Sequence, residues 1–484
     1  MKLSTHILFV YIFTFLCYTQ IQSQNIGEII PKEESYGIDK KHKIIVWNFK
    51  LPDSLKSNTD TFKITFGKEL DFYSSVDTLL FTKNYNVKIN NEIFKLYITK
   101  LPLIKIITNQ KVKDDPKVPS QFTFAHHYSR KSAVVGVELR GNISLKFPKK
   151  SYDLEFWQNS EEETPVDMQF GNLRDDDDWI LDGLYNEPLR LRSYFCNKLW
   201  LSINNLQYSS LEKDAKSGID LMFTEVFLNS EYIGIHALTE QVDRKLLQLK
   251  KHKKGKVRGE LFKAGSHNGA PAYMKAPKYK NIFPHWAGYE VEYPFVNYRA
   301  QWKNIRKFTR FVIKSKDSVF KKKVATKFDL NNAIDYFLFV NLVRATDNLG
   351  KNFYVARYNR KMPYFNVPWD LDGVLGTIQD GKRITTTNDI LSNGLFDRLF
   401  RINPSNYRQR LKDRWFSLRK QQFSNDSLLG NVSATYDFFE KNKVYEREAL
   451  VWPSDIKLTE HLRYIESWLT DRLQYLDTFF SDLP

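Results

Sequence analysis

Hydrophobic and polar positions change their rhythm along the chain. From about Lys41 to Lys100 they alternate in short runs, at Ile44–Phe49, Thr61–Phe66 and Phe94–Ile98, the period-two pattern of half-buried strands. Strand-type runs continue at Leu103–Ile107, Val134–Arg140 and Tyr152–Phe156. The spacing then predicts a helix over Pro188–Ile203, with Leu189, Leu191, Phe195, Leu199 and Ile203 on one broad face. A hairpin follows, Leu221–Leu228 and Tyr232–Leu238, turned at Asn229–Ser230, with a helix expected directly after it over Glu240–Leu249. Beyond a loop rich in Gly, Pro and Lys, about 255–284, helical spacing dominates at Trp302–Ile313, Leu330–Ala345, Tyr407–Arg419, Ser427–Phe439 and Thr459–Phe480. One β interruption intervenes, Phe353–Tyr358 and Tyr364–Val367. The pattern predicts an α+β chain whose β-rich first part feeds a helix-rich second part, as two lobes with a cleft between them.

Composition and charge refine this picture. Residues 1–23 stand apart: Lys2 starts them, Ile7–Leu16 is an apolar run, and Ser23 is a small residue suited to cleavage. The run is too short for a bilayer core of ~30 Å, so it reads as a secretory signal. Leu16 sits where lipid attachment at Cys17 would want a small residue. The expectation is an exported protein, secreted, periplasmic or at the cell surface, with no transmembrane anchor in the mature chain. Cleavage would remove Lys2, take the net charge from +17 to +16, and leave Cys196 as the only cysteine. No intrachain disulfide is then available, and the apolar neighbours of Cys196 predict a buried thiol. Residues 24–100 read as a β-rich accessory region, and from about Lys41 to Lys100 nothing gathers carboxylates or histidines into a cluster. Residues 101–480 are expected to hold the chemistry, β-rich over about 101–254 and helical over about 285–480. The densest basic patch, Lys250 to Arg258, reads as a solvated loop after a helix. No nucleic-acid-binding motif accompanies the charge, so nucleic acid is not an expected partner. The run Asp175–Asp178 likewise reads as a solvated loop rather than a metal site, because four successive carboxylates repel and point apart.

Chemistry concentrates after the long apolar helix. Arg344-Ala-Thr-Asp347-Asn-Leu-Gly-Lys-Asn352 is followed by Trp369-Asp370-Leu-Asp372-Gly373. Asp347 and Asn352 stand five apart, the spacing of the protein-kinase catalytic loop. There a carboxylate orients the acceptor hydroxyl, and an amide oxygen five residues on reaches a metal on the nucleotide phosphates. Asp370 follows the second β-hairpin and can return to the same cleft, with Asp372 as a further ligand. Mg²⁺ favours such a set, a few hard oxygens completed by phosphate and water.

Further blocks carry a family resemblance. Arg140-Gly-Asn-Ile-Ser144, Lys149-Lys150-Ser151-Tyr152-Asp-Leu, Trp179-Ile-Leu, Leu189-Arg190, Phe227-Leu-Asn-Ser-Glu-Tyr-Ile-Gly234 with Glu240-Gln241, and Trp369-Asp370-Leu-Asp372 occur in order. Over about Leu101 to Asp477 the chain resembles the spore-coat H (CotH) kinase family. The resemblance implies an atypical, bilobal protein-kinase-like fold that binds ATP and Mg²⁺ and phosphorylates Ser or Thr of secreted or coat proteins. On it, Asp347 is the catalytic aspartate and Asp370 a metal ligand, while Asn352 follows the general kinase pattern as the second ligand. Gly141 would let the backbone approach the nucleotide beside Arg140. Lys149 or Lys150 would neutralise phosphates, and Glu240 would line the pocket or complement a helix N-terminus. The chain departs from ordinary kinases in having no Gly-x-Gly-x-x-Gly loop and no His-Arg-Asp triplet. It departs from the family in carrying Glu187 before the Leu-Arg pair.

Two rival readings use the same residues. Asp370-Leu-Asp372-Gly373-Val-Leu resembles the first motif of haloacid-dehalogenase-type phosphatases, where the first Asp is a nucleophile. Pro368-Trp369 interrupts the apolar run that should precede it, and no later acidic pair completes its metal site. A surface-exposed binding protein on a kinase-like scaffold is the other, since fold does not fix function. Presence of Asp347, Asn352 and Asp370 together favours an enzyme.

Overall fold

The alternating segments after Leu103 close on themselves. In the computed structural model seven strands form a barrel in the order Ser129–Arg140, Ser151–Trp157, Asp178–Asp182, Glu231–Thr239, Leu221–Leu228, Leu103–Ile107, Val118–His126 and back to the first. One neighbour pair is parallel, Leu221–Leu228 with Leu103–Ile107, and the rest are antiparallel. Every second side chain points inward, so Ile104, Phe122, Val135, Leu154, Phe156, Trp179 and Leu238 fill the interior. The structure describes residues 27–49, 61–67, 70–75, 79–127, 129–253, 255–279, 282–295 and 302–484. The expected signal segment 1–23, Cys17 and Lys254 lie outside them.

Upstream of the barrel, Tyr36–Asp39, Ile44–Asn48, Glu92–Thr99 and Asn84–Ile89 form a four-stranded sheet. One face packs on its own core with Trp47, Ile64 and Phe66. The other, through Ile44, Val46 and Tyr97, packs on barrel residues Leu103, Ala125, Phe227 and Tyr232. The accessory region is therefore tied to the barrel by an apolar interface.

A second, antiparallel sheet follows, ordered His285–Trp286, Tyr289–Tyr293, Glu260–Gly265, Lys351–Arg357, Tyr364–Pro368. Glu260–Gly265 falls inside the segment expected to be a loop, and Tyr289–Tyr293 opens the part expected to be helical. Both strands are short and flanked by Gly, Pro and Lys, which masks their period. The long helix Leu330–Val343 is almost wholly buried against this sheet and helices Tyr407–Arg419 and Leu458–Ser481. Asp329 caps it by accepting the Asn331 and Asn332 N–H groups, and Arg344 ends it at φ +52°. The architecture is α+β, as the pattern predicted.

Two expectations need correction. Glu240–Leu249 contains no α-helix; the chain turns, and Leu246, Leu247 and Leu249 are all buried. Val242, Leu246 and Leu249 keep a helical spacing, but Lys216 N–H and the Tyr208 hydroxyl take the Leu246 and Leu247 carbonyls, so tertiary contacts override it. Nor is Asp175–Asp178 a solvated loop. Asp175–Asp176 and Asp178–Asp182 are strands, Asp176 and Asp177 are buried, and Lys245 bridges them at the end of the barrel. The run pays for its repulsion with that lysine, which lies 69 residues from Asp176 in sequence.

Asp178 remains the uncompensated member. Burial, then Asp177 and Glu155, push its carboxyl up to about 7 from 3.8. Between those values the folded state holds a proton that the unfolded chain has released, so this contribution to stability is lost as pH rises through 7. Asp178→Asn should raise the melting midpoint at pH 8 by roughly 2–4 °C for each kcal/mol recovered, and by clearly less at pH 5, where only part of that contribution has been lost. Equal shifts at both pH values would mean that charge is not the cause.

Candidate active site

Between barrel and helical part lies a cavity of about 330 Å³. Its walls are Arg140–Ser144, Lys149, Asp182 and Asn186 from the barrel side, Asn197 from helix Arg192–Ile203, and Asp347, Lys351, Asn352, Asp370 and Asp372 from the helical side. Seven of the nine residues singled out from the sequence thus meet in one place.

Local backbone aims the key side chains. Strand Lys351–Arg357 pairs with Glu260–Gly265 so that Phe353 faces Ala264 and Lys351 faces Gly265. Asn352 is skipped, a bulge residue at φ +53°, and such a bulge re-aims its side chain. The amide Nδ2 accordingly lies 3.4 Å from Asp347 Oδ2. Asn348 staples this loop to the next, donating to the Asn352 and Trp369 carbonyls, and Trp369 N–H returns a bond to Asn352 O at 3.1 Å. Tyr336, on the buried helix, donates to Asn348 O at 2.6 Å. Asp370 follows at φ +57°. Two non-glycine residues held left-handed within one cavity are strain of the kind that clusters at functional sites.

The electrostatics are lopsided. Among the described residues none of Asp182, Asp347, Asp370 and Asp372 is salt-bridged to Lys or Arg; Asp347 has a basic partner in His267. Asp370 opens onto the cleft, yet protein surrounds it closely, so desolvation and then Asp182 push its carboxyl up. Asp372 is raised further, by burial and then by Asp370, although Asn186 donates to it at 2.6 Å. Hard oxygens whose negative charge lacks a cation are a donor set suited to Mg²⁺. Tight groups of three carboxylates occur elsewhere, at Glu155–Asp177–Asp178 and Asp167–Asp176–Asp177, and Lys245 bridges Asp167, Asp176 and Asp177. The cleft carboxylates do not form so tight a group.

Opposite the acids is a polar turn. Gly141 has φ +110°, and a Cβ there would lie 1.7 Å from Ser144 Oγ, so only glycine fits. Arg140 lies over the Trp369 ring at 5.9 Å, beside Asp370. Lys149 is fully buried; its Nζ donates to Ile235 O at 2.6 Å and to Glu448 on helix Val444–Val451. Burial pulls its ammonium down to about 8, with Glu448 opposing.

Two expected residues are not in the cavity. Lys150 turns back to the Leu145 and Phe147 carbonyls at 2.7 and 2.6 Å. Glu240 is buried outside it, accepting the Arg174 and Asp220 N–H groups and pairing with Lys216. It has no helix N-terminus to complement. Four residues that line or support the site were missed. Asp182 ends a barrel strand one residue past the quoted Trp179-Ile-Leu block, Lys351 adjoins Asn352, and Glu448 and His267 arrive from distant segments. Glu187 also acquires a role: it accepts the Leu189 N–H at 3.0 Å and pairs with Arg192, whose Nε reaches Val374 O at 3.1 Å. The start of helix Arg192–Ile203 is thereby tied to the Asp370–Asp372 segment. Cys196 is buried on that helix, its thiol pushed up by burial.

A family model described as CotH kinase protein matches residues 137–476. The chain belongs to the CotH kinase protein family. The match covers well over half of the sequence and contains every cavity residue named above. It begins inside barrel strand Ser129–Arg140, so strands Leu103–Ile107 and Val118–His126 complete the barrel from upstream of it. No curated protein matches the chain. Among the described residues no helix is long and apolar enough to cross a membrane.

Proposed function

We propose that this chain is an exported protein kinase of atypical, bilobal kinase-like architecture, transferring the γ-phosphoryl group of ATP to Ser or Thr of secreted or cell-surface proteins. The observation that carries the reading is the bulged Asn352 lying on Asp347 in the cavity that also holds Asp370 and Asp372. Phosphoryl transfer needs little covalent help from protein and relies on positioning and charge. Asp347 accepts or orients the proton of the acceptor hydroxyl. Asn352, Asp370 and Asp372 would hold Mg²⁺, which when bound offsets the charge on the transferring phosphate. Lys149 supplies a fixed cation on the barrel side, and Gly141 leaves backbone open to phosphate oxygens. Family membership supports ATP as donor and a protein as acceptor.

The phosphatase reading loses ground. Strand Tyr364–Pro368 is the antiparallel edge of its sheet, whereas that chemistry sits at the end of a parallel strand. The test is incubation of the mature protein with γ-labelled ATP, Mg²⁺ and a Ser-rich protein. Label should appear on Ser or Thr and vanish with EDTA. Release of label as inorganic phosphate, dependent on Asp370 and not on Asp347, would instead establish the phosphatase.

A further inference from the structure

Asp347 is gripped from outside its own loop. His267 Nε2 lies 3.3 Å from Asp347 Oδ1, on the oxygen that Asn352 does not touch. The imidazole comes from Gly265-Ser-His-Asn-Gly269, the turn that leaves strand Glu260–Gly265. Backbone contact locks this turn in place. Ser266 N–H donates to Gly350 O and Gly265 N–H to Gly288 O, both at 2.8 Å. Three glycines at the contact have no room for a side chain. A Cβ on Gly350 would lie 2.5 Å from His267 Cα, one on Gly269 2.4 Å from Ala287 O, and one on Gly288 2.4 Å from Ser266 Cβ. Glycine loses much conformational freedom on folding, so a turn built on three close backbone approaches is costly. Among the described residues His267 is the one basic side chain that this turn delivers to the Asp347 carboxylate.

We propose that His267 is a positioning residue for Asp347. The inference rests on the reading of Asp347 as the group that orients the acceptor hydroxyl. The imidazole N–H donates to Oδ1 and fixes the carboxylate rotamer. Oδ2, beside the bulged Asn352, is then presented to the acceptor. Orientation of a catalytic group by a hydrogen-bonded partner is worth roughly 10–100-fold in comparable supporting interactions. His267 is half-exposed, 44%, beside a carboxylate that lines the cavity.

The experiment compares wild type, His267→Ala and His267→Gln in Mg²⁺-dependent label transfer, with melting midpoints measured alongside. His267→Ala should lower kcat about 10–100-fold, leave KM for ATP within twofold, and melt as wild type does. His267→Gln, whose amide also donates, should recover part of the loss. An unchanged kcat in His267→Ala, or a fall in stability and ATP affinity that Gln does not mend, overturns the proposal. Imidazole ¹⁵N spectra provide a readout independent of turnover: the His267 Nε2 signal should shift in Asp347→Asn. No shift overturns the pairing. If wild type transfers no label, the kinase reading falls, and the spectrum alone still decides whether His267 holds Asp347.

Discussion

Asp347→Ala is expected to lower kcat for transfer to protein about 10³-fold, within the 10²–10⁴ span of positioned proton acceptors, while leaving Mg²⁺–nucleotide binding intact. The separation follows from where the groups sit. Asp347 touches Asn352 and His267, whereas the barrel-side cation is Lys149 and the raised carboxylates are Asp370 and Asp372. Removing Asp347 takes away the acceptor's partner and leaves the donor side in place. It also takes one negative charge from beside Asp370, which eases ionisation of that carboxyl. Asp370→Ala should do the reverse, weakening Mg²⁺-dependent nucleotide binding along with turnover. Nucleotide binding by calorimetry and label transfer at saturating ATP distinguish the two. Full transfer by Asp347→Ala would end the role assigned to it.

How much of this was legible before the fold was known depended on sequence distance. Asp347, Asn352, Asp370 and Asp372 lie on two short loops joined by one hairpin, so spacing alone could gather them. The αL backbone that aims Asn352 was invisible, because Asn can adopt it and nothing in the letters says that it must. Lys149 and Lys150 could not be separated, since neighbours near a strand start face opposite ways and register comes only from the partner strand. Glu240 misled for a related reason. Its place at the end of a hairpin suggested a helix start, and the carboxylate is spent on two backbone N–H groups of other segments. His267 and Glu448 had no local signal at all. His267 stands in a Gly-rich turn that looked like a connector, and Glu448 reaches Lys149 across 299 residues. The buried Asp176–Lys245 contacts were hidden likewise, for composition reports charge and not its partner.

That long-range pair gives the second large effect. Lys149 and Glu448 have side-chain exposures of 0% and 7%. Glu448 also accepts Ile235 N–H at 2.8 Å and lies 3.3 Å from Arg190 Nε. Gly234 has no room for a Cβ because Glu448 fills the space. The pair joins the barrel to helix Val444–Val451, and Lys149 lines the cavity, so on the proposed reading it carries a structural and a catalytic duty at once. Substitution can separate them. Glu448→Ala leaves a buried ammonium beside a buried guanidinium, and removing one partner of such a pair costs about 3–5 kcal/mol. Lys149→Met with Glu448→Gln together removes both charges and keeps an acceptor for Ile235 N–H. Replacing a whole buried pair by neutral groups is often close to neutral in stability. The double variant should therefore melt between Glu448→Ala and wild type, since Arg190 still loses its carboxylate, while on the proposed reading its kcat/KM for ATP stays about 10²-fold or more below wild type for want of the Lys149 cation. Denaturant midpoints together with label transfer decide the matter. Recovery of activity along with stability would show that Lys149 only braces the barrel. Loss of both would show that the charge pair itself is needed for the fold.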